Sequence, residues 1–471
     1  MADKTERSPL LFTRKNAYDV LDKAEIARAY AYAEGYKAFL DAAKTEREAV
    51  REAIRLAEAQ GFIPIPDGAG DADAAALQPG ARVYKLVQGK ALFLAVVGEA
   101  SPREGVSFVG AHVDSPRLDL KQQPLYEDSE LALFKTHYYG GVKKYQWVTL
   151  PLALHGVVAK TDGSLVEISI GEKPDEPVFF ITDLLPHLGR EQNKKTLGEA
   201  FTGENLNILI ASRPTGGEKD ADRFKLTVLE HLHEKYGIDE TDFLSAELEA
   251  VPQGAARDVG FDRSLIGAYG HDDRSCAYAA LRALLDLAAA GTPKRTAVCI
   301  LTDKEEIGSE GVTGSKSLSL ETFMASLTGG LRYVPHSFEH SFCLSADVCN
   351  ALGPNFAEVS EKNNAARVNH GIGILKFTGS GGKSGSSDAS AETVARLRRV
   401  FAEKDVLWQM AELGKVDQGG GGTIAKYMAN RGIATIDAGV PVLCMHAPWE
   451  IVSKIDCYMT YKGVFAIYES E

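Results

Sequence analysis

The segment Ala297–Gly311, AVCILTDKEEIGSEG, sets two adjacent glutamates, Glu305 and Glu306, and a nearby Asp303 just past a run of apolar, partly β-branched residues. Like charges repel, so such a pair at the end of a core strand needs either solvent around it or something positive between its members. Four other places repeat the arrangement of an apolar run followed by acids or a histidine. They are His112 and Asp114 in FVGAHVDSPRLDL, Asp272 and Asp273 in GAYGHDDRSCAYAAL, Asp347 in CLSADVCNA, and His446 in VLCMHAPWE. Any one of these residues alone reads as a cap or a satisfied polar group. Together they point to one site, because the ends of strands line the ligand crevice of open α/β sheets.

The chemistry that needs such a set is hydrolysis at two metal ions. Two divalent ions about 3.5–4 Å apart activate one water and polarise a carbonyl. Zinc takes histidine nitrogen and carboxylate oxygen readily. One carboxylate has to bridge the ions, and another has to stay off them to take the water's proton. Adjacent residues on an extended chain face opposite sides, so Glu305 and Glu306 can do different work. Either acid of the Asp272–Asp273 pair can supply the bridge.

These residues need a scaffold, and the hydrophobic pattern supplies one. Ala17 to Gln60 is rich in Ala, Glu, Lys, Arg and Leu at helical spacing and reads as one or two amphipathic helices ending near Gly61. ALFLAVVGE and GVSFVGAHVDSP (Gly105–Pro116) read as strands, the second running into a loop. From about Leu118 to Val259 short β-like pieces such as WVTLPLALHGVVAK and SLVEISI alternate with turns and charged stretches. The block GEKPDEPVFFITDLLPHLGREQNKKTLGEAF inside it predicts exposed loops and a short helix. After Gly260 the α/β rhythm returns. Cys276–Gly291 reads as a helix with a glycine stop, Ala297–Thr302 and His340–Val348 as strands, and Asp388–Asp405 as a helix with an Asp or Ser cap. Helices alternating with apolar strands predict an αβα sandwich. Its two parts, 1–118 and 260–471, would be interrupted by a β-rich insertion, 119–259.

Composition narrows the function. The 471 residues are 45% hydrophobic and 25% charged, enough apolar surface for a large core and two domains. A formal net charge of −13 and no basic patch argue against nucleic acid as a partner. The longest apolar runs are strand length, too short to cross a membrane. The N-terminus MADKTERSPLLF has no apolar core of a secretory signal, so a cytoplasmic location is expected. The six cysteines, Cys276, Cys299, Cys343, Cys349, Cys444 and Cys457, form no C-x-x-C pair and read as small buried hydrophobes in a reducing compartment. Two glycine-rich loops, GSGGKSGSSD (Gly379–Asp388) and DQGGGGT (Asp417–Thr423), lack the spacing of a phosphate loop. The second fits a close backbone approach to substrate.

The motifs GAHVDSPRLDLK, GHDDRSCAYA, DKEEIGSEG, SADVCNA and MHAPWEIVSK lie in order between residues 110 and 454. In that ordered set the chain resembles the aspartyl aminopeptidase and vacuolar aminopeptidase I family of co-catalytic zinc exopeptidases. The resemblance implies a zinc-exopeptidase catalytic domain and removal of N-terminal residues from peptides. It also implies two divalent metal ions per subunit, zinc with cobalt or manganese as substitutes. Carried over residue by residue, it makes His112 and Asp347 terminal ligands of one metal, and Glu306 and His446 those of the other. Asp272 then bridges them, Glu305 is the general base, and Asp114 orients the His112 imidazole. By position Lys376 would meet the substrate, and an acidic side chain would suit it. The acidic-specific members, however, have DMAHA where this chain has DVCNA, with Asn350 in place of a substrate-contacting histidine. A neutral N-terminal residue is therefore the alternative. His187, in DLLPHLGRE, matches a family histidine that reaches a neighbouring subunit's active site, which implies a homo-oligomer, in the family a dodecamer built from dimers. The insertion would then serve dimerisation and oligomerisation. Another two-metal amidohydrolase such as a deacylase is disfavoured by that insertion. A non-catalytic scaffold or cargo protein is disfavoured by the retention of all five ligands together with Glu305.

Overall fold

Ala297–Thr302 and Ser107–His112 are buried at every position, as strands covered on both faces must be. They pair in parallel, with Thr302 opposite His112. Phe342–Ser345 and Ala434–Gly439 extend the parallel run on the other side of Ser107–His112. The four strands therefore finish at one edge of a nine-stranded sheet, while flanking Ala91–Val96 and Ile372–Leu375 run antiparallel to them. This computed structural model describes residue 8, residues 10–66 and residues 77–470. The first seven residues, on which the reading of the N-terminus partly rests, lie outside that range.

Successive strand residues alternate between two cores. Leu94, Val109, Cys299, Leu344 and Ile436 pack with Tyr36, Phe39 and Val50 and with the helices His271–Ala290 and Lys454–Glu469. Phe93, Phe108, Val298 and Cys343 pack on the opposite face with Phe323 and Met324 of Ser319–Thr328 and Met428 of Ala425–Asn430. Each such large buried side chain contributes about 1.5–3 kcal/mol. Helices thus cover both faces of the sheet.

The N-terminal helical region is three helices, Ala17–Val20, Lys23–Ala42 and Glu46–Glu58. The breaks fall where Asp22 and Thr45 accept backbone N–H groups as N-caps. The helix expected from Asp388 begins at Ala391 with Ser390 as its cap; the Asp388 carboxylate is engaged by Lys376 and Lys383 instead. The strand expected over His340–Val348 is shorter, Phe342–Ser345, and the last ladder pair is at Ser345. Asp347 therefore lies in the segment just beyond the sheet edge. Five cysteines are buried as expected, and Cys444 is exposed.

Arg117 to Pro252 builds a separate six-stranded sheet with its own core around Trp147, Leu152, Leu154, Ile168 and Leu248. A third sheet matters for the site. Cys349–Asn350 pairs with Pro441–Leu443, which pairs with Glu450–Ser453, which pairs with Leu265–Ala268. That chain of pairings brings the flanks of Asp347, His446 and Asp272 together. Among the described residues no helix is long and apolar enough to cross a membrane.

Candidate metal centre and substrate cavity

Past Thr302 the backbone turns at once. Asp303 stays buried, Lys304 takes the left-handed conformation (φ 65°, ψ 18°), and Glu305–Ile307 form one 3-10 turn. The two glutamates therefore sit on a tight turn rather than on the extended chain expected from the sequence. A helix of about three residues per turn still separates neighbouring side chains by roughly a third of a circle. Asp114 pins the turn: its Oδ1 accepts the Glu305 N–H and its Oδ2 the Glu306 N–H, each at 3.2 Å.

His112 ends its strand beside this turn. Its Nδ1 lies 3.0 Å from the Asp114 backbone oxygen and 3.3 Å from Asp114 Oδ1. Its Nε2 faces Asp272 Oδ1 at 3.1 Å and Asp347 Oδ1 at 3.9 Å. The other oxygen of Asp272 lies 3.2 Å from His446 Nε2, and that nitrogen is 3.4 Å from Glu306 Oε1. So His112, Asp272, Glu306, Asp347 and His446, scattered over the sequence, form one cluster with Asp114 behind it. Asp273 is buried beside the cluster. Its Oδ1 accepts the Cys276 N–H, and it groups with His112 and Asp347.

The helix expected at Cys276 begins five residues earlier at His271, with non-helical backbone at Asp272 and Asp273. This puts both acids at the helix start. Glu450 carries part of the geometry and is missing from the sequence reading. It is buried, its Oε2 accepts the Asp272 N–H at 3.0 Å, and its Oε1 accepts the His446 N–H at 2.7 Å. An acid four residues after His446, inside MHAPWE, was the available signal.

The cluster holds more negative charge than a buried site keeps without compensation. Burial, with Asp272 next, pushes the Glu306 carboxyl well above its usual range. Burial also raises Asp347 strongly and lifts Glu305 to about 7. His112 is moved the other way from what burial alone would do: the Asp114 and Asp272 carboxylates hold its imidazolium well above the usual range. The same balance, with Asp272 and Glu306 outweighing burial, lifts His446 to about 10. Asp272 Oδ1 and Glu306 Oε1 are buried with no hydrogen-bond partner. Such atoms are costly unless a cation meets them. Ligand atoms around a tetrahedral zinc stand about 3.3 Å apart, from its roughly 2.0–2.1 Å bond lengths. The nitrogen-to-oxygen separations of 3.1, 3.2 and 3.4 Å are of that size, and the fourth, His112 to Asp347, is longer at 3.9 Å. The donor set therefore fits divalent cations.

The cluster forms the floor of a cavity of about 530 Å³, whose lining includes Glu305, Val348, Asn350, Phe377 and Lys383. That volume lies within the roughly 300–1,000 Å³ of small-ligand sites. Lys376 is not in the lining; its Nζ lies 3.1 Å from Asp388 Oδ1. Lys383 does line the cavity, 3.1 Å from the other Asp388 oxygen. His187 is exposed on the inserted module and is not part of its own chain's cavity lining. The two glycine-rich loops meet at the cavity through a short ladder, Gly379–Ser380 with Gly420–Gly421. Here the close approach that needs glycine is between the loops themselves. A Cβ on Gly420 (φ 142°) would stand 2.6 Å from the Gly379 carbonyl oxygen.

Comparison with known proteins shows the family. Residues 39–468 match the family described as aminopeptidase I zinc metalloprotease (M18). A Clostridium acetobutylicum protein described as "Probable M18 family aminopeptidase 1" is 48% identical over 462 residues, covering 97% of this chain and 98% of its own length. The crystal structure of an M18 aminopeptidase from Thermotoga maritima superposes with a TM-score of 0.91 at 44% identity, covering 98% of this chain and all (100%) of that one. The crystal structure of aminopeptidase I from Clostridium acetobutylicum gives the same TM-score, 0.91, at 46% identity and the same coverage of 98% and 100%.

Proposed function

Because the chain belongs to the M18 family of zinc metalloproteases and is a metalloaminopeptidase, we propose that it removes N-terminal residues from peptides at a two-metal site. In this reading His112 and Asp347 hold one divalent ion, Glu306 and His446 hold the other, and Asp272 bridges them. The observation that carries it is Asp272, with one oxygen 3.1 Å from His112 Nε2 and the other 3.2 Å from His446 Nε2. Bound there, two divalent cations, zinc first among them, supply Lewis-acid polarisation of the scissile carbonyl and acidify the attacking water.

Glu305 is the general base. It accepts a proton from the water as the oxygen attacks the carbonyl carbon, and returns it to the leaving amine as the carbon–nitrogen bond breaks. Both glutamates line the cavity, and Glu306 Oε1 lies 3.4 Å from His446 Nε2.

The removed residue is neutral rather than acidic. Lys376, the lysine that the resemblance sets against an acidic side chain, is bound to Asp388 outside the lining, where Lys383, Lys415 and Lys426 are the lysines that do line the cavity. Lys383 shares that aspartate, and Val348, Leu375 and Phe377 supply apolar wall. Asn350, also in the lining, offers the substrate neutral hydrogen bonds. The inserted module, 119–259, joins copies of the chain into a homo-oligomer in which His187 completes a neighbour's cavity. Exposed Leu184, Leu185 and Leu188 beside it are consistent with burial between subunits. The location is cytoplasmic.

Metal-reconstituted protein assayed on aminoacyl-anilides of Leu, Met, Asp and Glu tests the reading. Hydrolysis of Leu and Met substrates ahead of Asp and Glu supports it. Preference for the acidic pair overturns the specificity, and no hydrolysis of any overturns the activity.

A further inference from the structure

The inserted module touches the acid–histidine cluster through three consecutive residues. Tyr139, the last residue of the strand Leu131–Tyr139, is buried, and its hydroxyl donates to Asp114 Oδ2 at 2.8 Å. Gly140 follows with φ 73°, and a Cβ there would stand 3.3 Å from both Glu306 Cβ and its Oε2. Gly141 offers its carbonyl oxygen to His446 Nδ1 at 2.9 Å. The Tyr139 ring is itself seated firmly. The Arg117 guanidinium lies 3.9 Å from its centroid, and Arg117 is held between buried Glu249 at 3.1 Å and buried Glu46 at 3.4 Å.

We propose that Tyr139 and Gly141 are positioning residues through which the inserted module orders the metal-holding cluster. The inference rests on the reading of that cluster as the metal centre. Asp114 is fully buried (0% exposed) and braces both His112 and the Glu305–Glu306 turn. The Tyr139 hydroxyl is its shortest donor, at 2.8 Å against 3.2 Å for the two amides. Removing it leaves a buried carboxylate short of a partner and frees it to rotate, so His112 and the turn lose their common anchor. His446 is the least enclosed of the cluster, its side chain 35% exposed. A carbonyl can only accept, so Gly141 holds a proton on Nδ1 and leaves Nε2, which faces Asp272 and Glu306, as the atom that would hold a cation. The inserted module is then part of the site's construction as well as a surface for assembly.

The test uses full-length protein with Tyr139→Phe, which keeps the ring on Arg117 and removes only the hydroxyl. Three quantities are read: metal retention against a chelator, the visible spectrum of the cobalt-substituted protein, and kcat and KM separately. The expected result is metal retention weakened about 10–100-fold, a shifted cobalt spectrum, and a fall in kcat larger than any rise in KM. Tyr138→Phe, on the exposed neighbour, should change none of these. Wild-type retention and spectrum in Tyr139→Phe would overturn the proposal. If that variant does not fold, Gly141→Ala carries the test, since its Cβ would come within 3.1 Å of His446 Nδ1. A shifted cobalt spectrum supports the proposal there, and an unchanged one overturns it. Wild-type protein that takes up no metal would instead sink the reading beneath it, so the two failures are distinguishable.

Discussion

The Glu305 backbone N–H donates to Asp114 Oδ1 at 3.2 Å, so the residue proposed as the base is held by a carboxylate that is fully buried. That bond holds the main chain and leaves the Glu305 side chain to the cavity. Glu305→Gln keeps the turn and the ligand set but removes the proton acceptor. Its kcat should fall about 10²–10⁴-fold, with metal content by elemental analysis unchanged. A wild-type rate would remove Glu305 from the mechanism.

His446→Ala acts on the other side of the cluster. It deletes the group that faces both Asp272 and Glu306, leaving two buried carboxylates to share one fewer cation ligand. Elemental analysis after dialysis should find occupancy reduced to about one metal or less per chain. Full occupancy would show that His446 is not a ligand.

Lys376 and Lys383 offer a separable pair. Both bind Asp388, but only Lys383 lines the cavity. Lys383→Ala should change KM for acidic and neutral aminoacyl substrates to different extents, and Lys376→Ala should leave their ratio alone. If Lys376→Ala alone moved the ratio, the substrate contact expected from sequence would stand and the cavity assignment would fall.

A pH effect should come from outside the site. His155 on the insertion strand Leu152–Ala159 bonds Glu48 at 2.9 Å and Glu172 at 3.2 Å. Burial lowers its pKa, but the two carboxylates outweigh that and lift it from 6.5 to about 9. A folded-state pKa above the unfolded one gives stability that is whole below about pH 6.5 and is lost as pH rises through about 9. The loss should be about 2–3 kcal/mol. Urea midpoints at pH 6 and pH 9.5 should differ in wild type and differ less in His155→Gln. Equal pH dependence in the two proteins would contradict the assignment.

What the sequence made legible was the chemistry and the sheet that carries it. The apolar runs before His112, Glu305 and Asp347 marked parallel strands that do finish at one edge, because a sheet buried on both faces needs continuous apolar residues, whereas Asp272 and His446 follow strands of the five-stranded sheet. His112 and Thr302 end paired strands, and Asp347 follows directly. Less legible were contacts made by backbone or across the module boundary. The Gly141 carbonyl, the 3-10 turn at Glu305 and the Asp272 amide held by Glu450 leave no periodicity to read. Loop side chains were harder still. Lys376 was matched by position, but its neighbour Asp388 is a folded-state partner that spacing alone does not reveal.

Peptide hydrolysis at two divalent ions held by these residues should follow the metal content of the protein. Its most direct measurement is activity on Leu-anilide during stepwise return of Zn²⁺ to fully chelated protein. The apoprotein should show no activity, and recovery should saturate at about two equivalents per chain. Activity persisting after complete metal removal would contradict it.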